Sequence, residues 1–183
     1  MRGDDEVRQV VAGGTAGVVA TVAMSAVLAV AARLGLLREP PPRAIVRTAL
    51  PGLSREAVDA AALVAHIGYG AAAGAVHRAV LGGPGPAASV LYGLGLWAGS
   101  YEGWVPLLGA LPPAHLDDRR RQASMIAGHV VYGAVLGAVT ARRRRAPRRE
   151  AGRLAGADAA GRATRGGDRR PQDDGSRAVE SSE

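Results

Sequence analysis

Cysteine, lysine and phenylalanine are absent from this sequence, and the first of these absences excludes several kinds of chemistry. Without cysteine the chain forms no disulfide bond, thiolate metal site or cysteine nucleophile. The absence of lysine beside 23 arginines points to a GC-rich coding sequence more than to a function. Recognisable motifs for a nucleophile, for phosphate binding and for dinucleotide binding are also missing. We therefore expect no enzyme activity and no cofactor.

Charge is distributed unevenly along the chain. Residues 142–183 hold twelve arginines and seven acids, and their only large aliphatic residues are Leu154 and Val179. Such a segment cannot bury enough apolar surface to offset the entropy lost on ordering, so we expect a disordered, arginine-rich tail over 142–183. Residues 1–141 carry eleven arginines and nine acids, a net charge of +2, and form the predicted folded domain.

Long apolar runs occupy most of residues 1–141. The first run, 10–32, has no charged residue in 23 positions, and a membrane-spanning helix needs about 20. A signal peptide would have a basic flank and a shorter apolar run, whereas Asp4, Asp5 and Glu6 precede this one. We predict an all-α protein with four transmembrane helices packed as a bundle, over residues 10–32, 57–81, 87–109 and 123–141.

The helix surfaces favour lipid over water as the solvent. A soluble four-helix bundle needs a charged outer face on each helix, and the segments 10–32 and 123–141 have no polar face. Between the first two segments, the stretch 43–50 is amphipathic and suits the membrane interface. Glycines four residues apart, a spacing that lets transmembrane helices approach closely, occur in every segment: Gly13/Gly17, Gly70/Gly74, Gly95/Gly99/Gly103 and Gly133/Gly137.

Two of the four segments contain the same string. Residues 66–76 and 129–139 share the pattern H-x-x-Y-G-A-x-x-G-A-V without gaps. Composition accounts for the alanine and glycine matches, but the chain has only four histidines and four tyrosines. The copies are two helices apart, so both cross the membrane in the same direction. We infer a duplicated helical hairpin, with convergence on one packing solution as the alternative.

Several motifs together identify a family that the chain resembles. They are the string AGGTAG at 12–17, the prolines at 40–42, the two His-x-x-Tyr-Gly strings and the string WAGSYEGWVPLLG at 97–109. This arrangement, over about residues 10–141, resembles the YagU-like bacterial inner-membrane proteins of unknown function. The resemblance implies a multi-pass protein of the bacterial inner membrane and implies no reaction. Because the arginines at 142–145 directly follow the last segment, we expect both termini in the cytoplasm.

Polar side chains are predicted to form one layer inside the membrane. One polar residue on each predicted helix lies about seven residues from a helix end, and these four ends share one side of the membrane: Ser25, His66, Glu102 and His129. At about 1.5 Å per residue, seven residues correspond to a depth of about 10 Å. At 100° per residue, the ionisable groups fall on faces expected to meet other helices. The predicted cluster comprises His66, Glu102, His129, Tyr69, Tyr132 and Ser25. His77 and Arg78, by contrast, are expected to reach headgroups at the opposite surface.

The polar layer has three interpretations that the sequence leaves open. The groups could simply join alanine-rich helices through hydrogen bonds. They could carry protons or ions, because histidine titrates near neutral pH and an adjacent carboxylate suits proton relay. Two histidines and a carboxylate could also bind iron or zinc, but nothing in the sequence fixes the geometry, and we assign no metal ligand.

The expected role is non-enzymatic: a membrane helix bundle that serves envelope maintenance or stress, with the lipid bilayer as its main partner. The alternative is a small proton- or ion-coupled transporter or channel, for which four thin helices would need to assemble as a homo-oligomer. The arginine-rich tail should attract anionic lipid headgroups. Nucleic acid is not expected, because no aromatic residues interleave those arginines.

Overall fold

The structure, a computed structural model, describes the backbone of residues 2–166 and the side chains of residues 3–142. This described part is helical and contains no strand, so the predicted all-α fold is confirmed for it. In chain order the elements are α1 (Arg2–Arg33), α2 (Pro41–Ala49), α3 (Arg55–Leu81), α4 (Pro86–Ala98), a π-helical turn (Gly99–Trp104), α5 (Val105–Leu107), a 3₁₀ turn (Ala114–Leu116) and α6 (Arg119–Gly166).

Three helices in the described residues are long and apolar enough to cross a membrane. They comprise Gly3–Arg33 in α1, Arg55–Leu81 in α3 and Arg119–Arg142 in α6. Each contains one of the predicted segments, at 10–32, 57–81 and 123–141. The prediction of four membrane-length helices is therefore confirmed for three of them.

The remaining segment, predicted as one helix over 87–109, is interrupted. It is helical over residues 86–107 but consists of α4, the π-helical turn and α5, and we call it the interrupted helix. Gly103 leaves the helical region altogether, with φ −104° and ψ −106°. Pro106 follows and has no N–H with which to continue the helical ladder. Two glycines in the turn and a proline beyond it thus explain why the regular helix stops at Ala98.

The loops between these helices begin and end at residues suited to helix termini. Ser54 caps α3, since its hydroxyl accepts a hydrogen bond from the backbone N–H of Ala57 at 3.2 Å. The same helix ends at Gly82, whose φ of 63° is left-handed and favours glycine. Pro86 opens α4, where its missing N–H costs nothing. These signals place the turn between α3 and α4 at residues 82–85.

Glycine brings α1 and α3 into close contact in antiparallel orientation. A Cβ on Gly74 would lie 2.6 Å from the Cα of Gly17, and a Cβ on Gly13 would lie 2.6 Å from the carbonyl oxygen of Gly74. Real side chains do not approach backbone so closely, so only glycine fits at these positions. Gly70 meets the side chain of Thr21 in the same way. The predicted pairs Gly13/Gly17 and Gly70/Gly74 are confirmed as packing residues.

A second close pair joins α4 and α6. A Cβ on Gly133 would lie 2.6 Å from the Cα of Val90, and a Cβ on Gly137 would lie 2.9 Å from the Cβ of Ser89. On α4 the contact is made by Gly93, against the backbone of α6. The prediction that the third segment, 87–109, packs through Gly95, Gly99 and Gly103 is wrong. No described atom outside their own helix lies within 4 Å of a Cβ built at any of these three glycines.

The short helix α2 lies against α3. Its Val46 packs on Val58 and Ala62, which form a small second core. The Arg43 guanidinium lies 2.7 Å from the Asp59 carboxylate, and Arg47 pairs with Glu39 at 2.6 Å. The amphipathic pattern predicted for 43–50 therefore matches a helix that is apolar towards the bundle and charged on its other face.

The chain divides into two compact units, Met1–Arg144 and Arg145–Glu183. Residues 142–166, expected to be disordered, are helical because α6 continues to Gly166. Alanine and arginine in this stretch favour a helix, whereas Pro147 and four glycines oppose it. The predicted disorder of residues 167–183 lies outside the described residues.

Candidate functional site

An apolar cavity of about 240 Å³ lies within the first unit, among α1, α2, α3, the interrupted helix and α6. Four of the six side chains predicted to form the polar layer line it, namely His66, Tyr69, His129 and Tyr132. Aromatic side chains account for much of the wall, and Pro41 and Val46 of α2 close one part of it. Among the described residues, no charged side chain lines this cavity.

Two nitrogen atoms on its lining residues are buried without a hydrogen-bond partner in the described part of the chain. They are Nε2 of His66, on α3, and Nε1 of Trp97, on the interrupted helix. Leaving a buried donor or acceptor unpaired costs about 1–3 kcal/mol. Such atoms are rare in folded proteins and draw attention to the cavity that both residues border.

His129 and Tyr132, one helical turn apart on α6, have partners. The His129 Nδ1 lies 2.8 Å from the carbonyl oxygen of Met125 and donates to it, since a carbonyl can only accept. The Tyr132 hydroxyl donates to the carbonyl oxygen of Gly70 at 2.8 Å and so ties α6 to α3. Tyr132 therefore supports the interhelical interpretation of the polar layer.

Tyr69 bridges α3 and the interrupted helix at the outer side of the cavity. Its hydroxyl lies 3.0 Å from the Ser100 Oγ, and its ring centroid lies 6.2 Å from that of Trp104. Tyr69 is 43% exposed and Trp104 is 39% exposed, so both reach the surface while lining the cavity. Because both residues line the cavity and are also exposed, we infer that the cavity opens beside them, and we call this place its mouth.

Glu102 has a different partner from the one predicted. Its carboxylate accepts the backbone N–H of His115 at 2.9 Å and lies 2.8 Å from Nδ1 of the same residue. Its side chain is 39% exposed and is not part of the cavity lining. Ser25 is half-buried and also lies outside that lining. The structure thus brings together four of the six predicted residues.

The π-helical turn explains why the Glu102 side chain points away from the cavity. The prediction of its direction assumed 100° per residue, whereas the wider turn between Gly99 and Trp104 changes the direction of each side chain in it. Ser100, Tyr101 and Trp104 line the cavity, and Glu102 faces the loop that holds His115. Tyr101 is buried, and its hydroxyl donates to Asp117 in that same loop.

A family model matches residues 7–151, which include every residue that lines the cavity. The chain belongs to DUF6789, a family of unknown function. Searches of the curated proteins and of the solved structures each gave no match. The DUF6789 match covers most of the chain and extends past Arg142, into the part of α6 beyond its apolar stretch.

Within the DUF6789 region, the two copies of the repeat share their glycine contacts but not their polar ones. Gly70 and Gly74 of the first copy pack on α1, and Gly133 and Gly137 of the second pack on α4. The equivalent polar residues differ: Tyr69 bonds a side chain at the mouth, and Tyr132 bonds a buried backbone carbonyl. The shared glycine contacts fit both interpretations of the repeat, a duplicated hairpin and convergence on one packing solution.

His77 was expected at the membrane surface, and the structure buries it completely. Its Nε2 lies 3.0 Å from the Oγ of Ser89, which is also fully buried. Nearby, the Tyr92 hydroxyl donates to the carbonyl oxygen of Ala73 at 2.7 Å, again between α3 and α4. These residues join the two glycine-packed pairs. The burial of His77 could have been predicted from its position on the same helix face as Gly70 and Ala73, which are also buried.

The metal interpretation has no ligand set in the described residues, where no three histidine, aspartate or glutamate side chains come together to hold an ion. At 100° per residue, Trp97, Tyr101 and Trp104 fall on a face that suits lipid or the membrane interface, and the cavity to which all three belong was therefore missed. The unpaired nitrogen of Trp97 is visible only once the surrounding helices are in place.

Proposed function

We propose that this protein is a non-enzymatic membrane protein with four spans, located in the bacterial inner membrane, with a role in envelope maintenance or stress. Its main partner is the lipid bilayer, and the arginines beyond Arg142 add attraction to anionic headgroups. The proposed relation to the YagU-like proteins rests on the motifs in the four predicted segments, and it supports a location in the bacterial inner membrane.

The observation that carries the proposal is the exposure of many large apolar side chains beside polar side chains that are fully buried. Large apolar residues lie on the outside: Val22 is 58% exposed, Val64 72% and Val80 74%. Meanwhile Thr21, His77 and Ser89 are at most 1% exposed. Water would favour the opposite arrangement, with the valines inside. Lipid tails are as apolar as valine, so in a bilayer close packing and hydrogen bonds hold the helices together.

Support for a fourth span comes from the interrupted helix. Its residues 86–107 would extend roughly 33 Å at about 1.5 Å per residue, close to the thickness of about 30 Å of a bilayer core. Gly93 packs against α6 as closely as the glycines of α1 pack against α3. Side chains of the π-helical turn line the cavity or contact the loop that holds His115, which suits a membrane span because irregular backbone is tolerated where it is buried in protein.

The transporter alternative receives less support than the bundle. It needs a carboxylate next to the histidines, and Glu102 is hydrogen-bonded to His115 at a half-exposed position instead. Catalysis also lacks support, because no nucleophile paired with a base lines the cavity among the described residues. We therefore propose neither proton passage nor a reaction.

An even number of spans places both ends of the helical region on the same side of the membrane, and an odd number places them on opposite sides. Because the chain has no native cysteine, single cysteines can report the side of each end. Gly3→Cys and Arg142→Cys are made separately, and intact cells are treated with a membrane-impermeant maleimide before and after permeabilisation. Four spans predict that both cysteines lie on the same side, and the arginines at 142–145 predict that this side is the cytoplasm. Labelling of the two cysteines from opposite sides would mean three spans and would overturn the proposal.

A further inference from the structure

We propose that the cavity is a binding site for a lipid-soluble molecule whose uncharged ring carries carbonyl oxygens, the chemistry of a membrane quinone. This inference rests on the proposed membrane location, because such a molecule reaches the protein through the bilayer. Four features of the cavity support it: the uncharged wall, the unpaired nitrogens, the size and the position of the mouth.

The wall selects against charge. Among the described lining residues there is neither an acid nor an arginine, and the polar groups present are histidine, tyrosine, tryptophan, serine and threonine. A charged headgroup buried there would lose its hydration without gaining a counter-ion, which costs far more than burial of a neutral polar group. The occupant is therefore uncharged.

The unpaired nitrogens select for an oxygen acceptor. The indole N–H of Trp97 can only donate, and the Nε2 of His66 can donate when it carries the ring proton. Both residues line the cavity, and a carbonyl oxygen is the kind of acceptor that each unpaired nitrogen lacks. The two nitrogens lie on different helices, α3 and α4.

The size and the aromatic wall select for a ring. An apolar cavity of about 150 Å³ can bind benzene, so about 240 Å³ has room for a substituted ring with its first tail carbons. Tyr69, Trp97, Tyr101, Trp104 and Tyr132 provide aromatic faces and edges against which a flat ring packs favourably. The remainder of a long tail has to leave the cavity.

The mouth gives the tail its exit. Tyr69 and Trp104 line the cavity and are exposed on the outer surface between α3 and the interrupted helix. In the proposed orientation that surface faces lipid, so an apolar tail would pass from the cavity into the bilayer without crossing water.

The test uses the two tryptophans of the chain, Trp97 and Trp104, which both line the cavity. Full-length protein in nanodiscs is titrated with decylubiquinone, and quenching of tryptophan fluorescence is followed. Binding predicts saturable quenching with one site per chain. Decylbenzene, which has the ring and tail without the carbonyls, and methyl decanoate, which has a carbonyl of acyl-lipid type without the ring, should each compete at least tenfold more weakly.

Variants locate the site. His66→Phe keeps a flat ring but removes the donor, and we expect about a tenfold loss of affinity, the effect of one hydrogen bond of about 1.4 kcal/mol. Trp97→Phe should weaken binding similarly, with Trp104 as the remaining reporter. His115→Ala, outside the cavity, is the matched histidine control and should bind as the unchanged chain does. Where His66→Phe fails to fold, Ala65→Leu, which fills the cavity from an exposed edge, replaces it and should block binding.

Three results would overturn the proposal. Quenching that rises linearly with quinone and is equal in all variants would show partition into lipid only. Equal competition by decylbenzene would show that the carbonyls have no role, and equal competition by methyl decanoate would assign the cavity to acyl chains. If any of these occurs while the cysteine labelling still gives four spans, the ligand proposal alone fails. Labelling that gives three spans would instead remove the membrane arrangement on which it rests.

Discussion

Gly17 and Gly74 hold α1 and α3 so close that neither position leaves room for a methyl group. Gly68, on the same helix as Gly74, has no described atom within 4 Å of a Cβ beyond its own helix. Glycine is a poor helix former at both positions, but only Gly74 also makes a close helix contact. A comparison of the two positions therefore measures the packing effect apart from helix propensity.

Gly74→Ala should destabilise the protein by about 1–3 kcal/mol, because the added methyl group overlaps the backbone of α1 and forces the helices apart. Gly68→Ala should be neutral or stabilise by up to about 1 kcal/mol, since alanine is the better helix former. Unfolding of both variants in detergent, followed by circular dichroism, measures the difference. Equal stability of the two would mean that α1 and α3 do not pack as described.

Residue spacing in the sequence was enough to find most of these contacts. The pairs in α1, α3 and α6 follow the rule of small residues four apart, and all of them lie at helix contacts. On α4 the rule was applied to glycine alone and pointed to Gly95 and Gly99, which face open space. Including serine would have found Ser89 and Gly93, which do meet α6. Composition cannot choose between two such registers on one helix, because only the partner helix decides which face is covered.

At the scale of elements, the π-helical turn determines what the candidate site contains. A regular helix would have directed Glu102 along the face of Gly95 and Gly99, as the sequence analysis assumed. The turn instead lets Tyr101 and Ser100 line the cavity and leaves Glu102 with His115. A proline such as Pro106 indicates a kink or a helix end near its own position, but no residue pattern specifies the wider π-helical turn before it as strictly.

A double-mutant cycle tests the partner of Glu102. Glu102→Ala and His115→Ala should show a coupling free energy of up to about 1 kcal/mol, the range for a partly exposed pair. Glu102→Ala and His129→Ala should be additive, because the structure gives these side chains separate surroundings. The stabilities of the single and double variants in detergent supply both values. Coupling to His129 and none to His115 would favour the layer as first predicted.

At the scale of the bundle, two close helix pairs are joined by hydrogen bonds between their polar groups. The glycine contacts form the pairs α1 with α3 and α4 with α6, and His77, Tyr92 and Tyr132 connect them. The repeated string predicted that α3 and α6 correspond. It could not predict that its two tyrosines serve different purposes, because that depends on which helix each one meets after folding.

The extent of α6 shows another limit of prediction. Arginine and alanine beyond Arg142 gave no apolar face, from which we expected disorder, and the helix nonetheless continues to Gly166. An existing helix has already met its nucleation cost, but Pro147 and four glycines in this stretch oppose a helix, and nothing in the sequence explains why α6 passes them. The apolar segments were easier to predict, because hydropathy over about 20 residues outweighs any local preference.

The most direct test of the membrane arrangement compares two positions with nearly equal exposure. Val64 on α3 is 72% exposed, and Leu116 in the loop before α6 is 71% exposed. Val64→Cys and Leu116→Cys are prepared separately in nanodiscs, which leave both membrane faces open, and treated with a hydrophilic maleimide. A bilayer around α3 predicts rapid labelling at position 116 and almost none at 64 until the lipid is dissolved and the chain unfolded. Equal labelling rates at the two positions in intact nanodiscs would contradict the account, because they would mean that water surrounds α3.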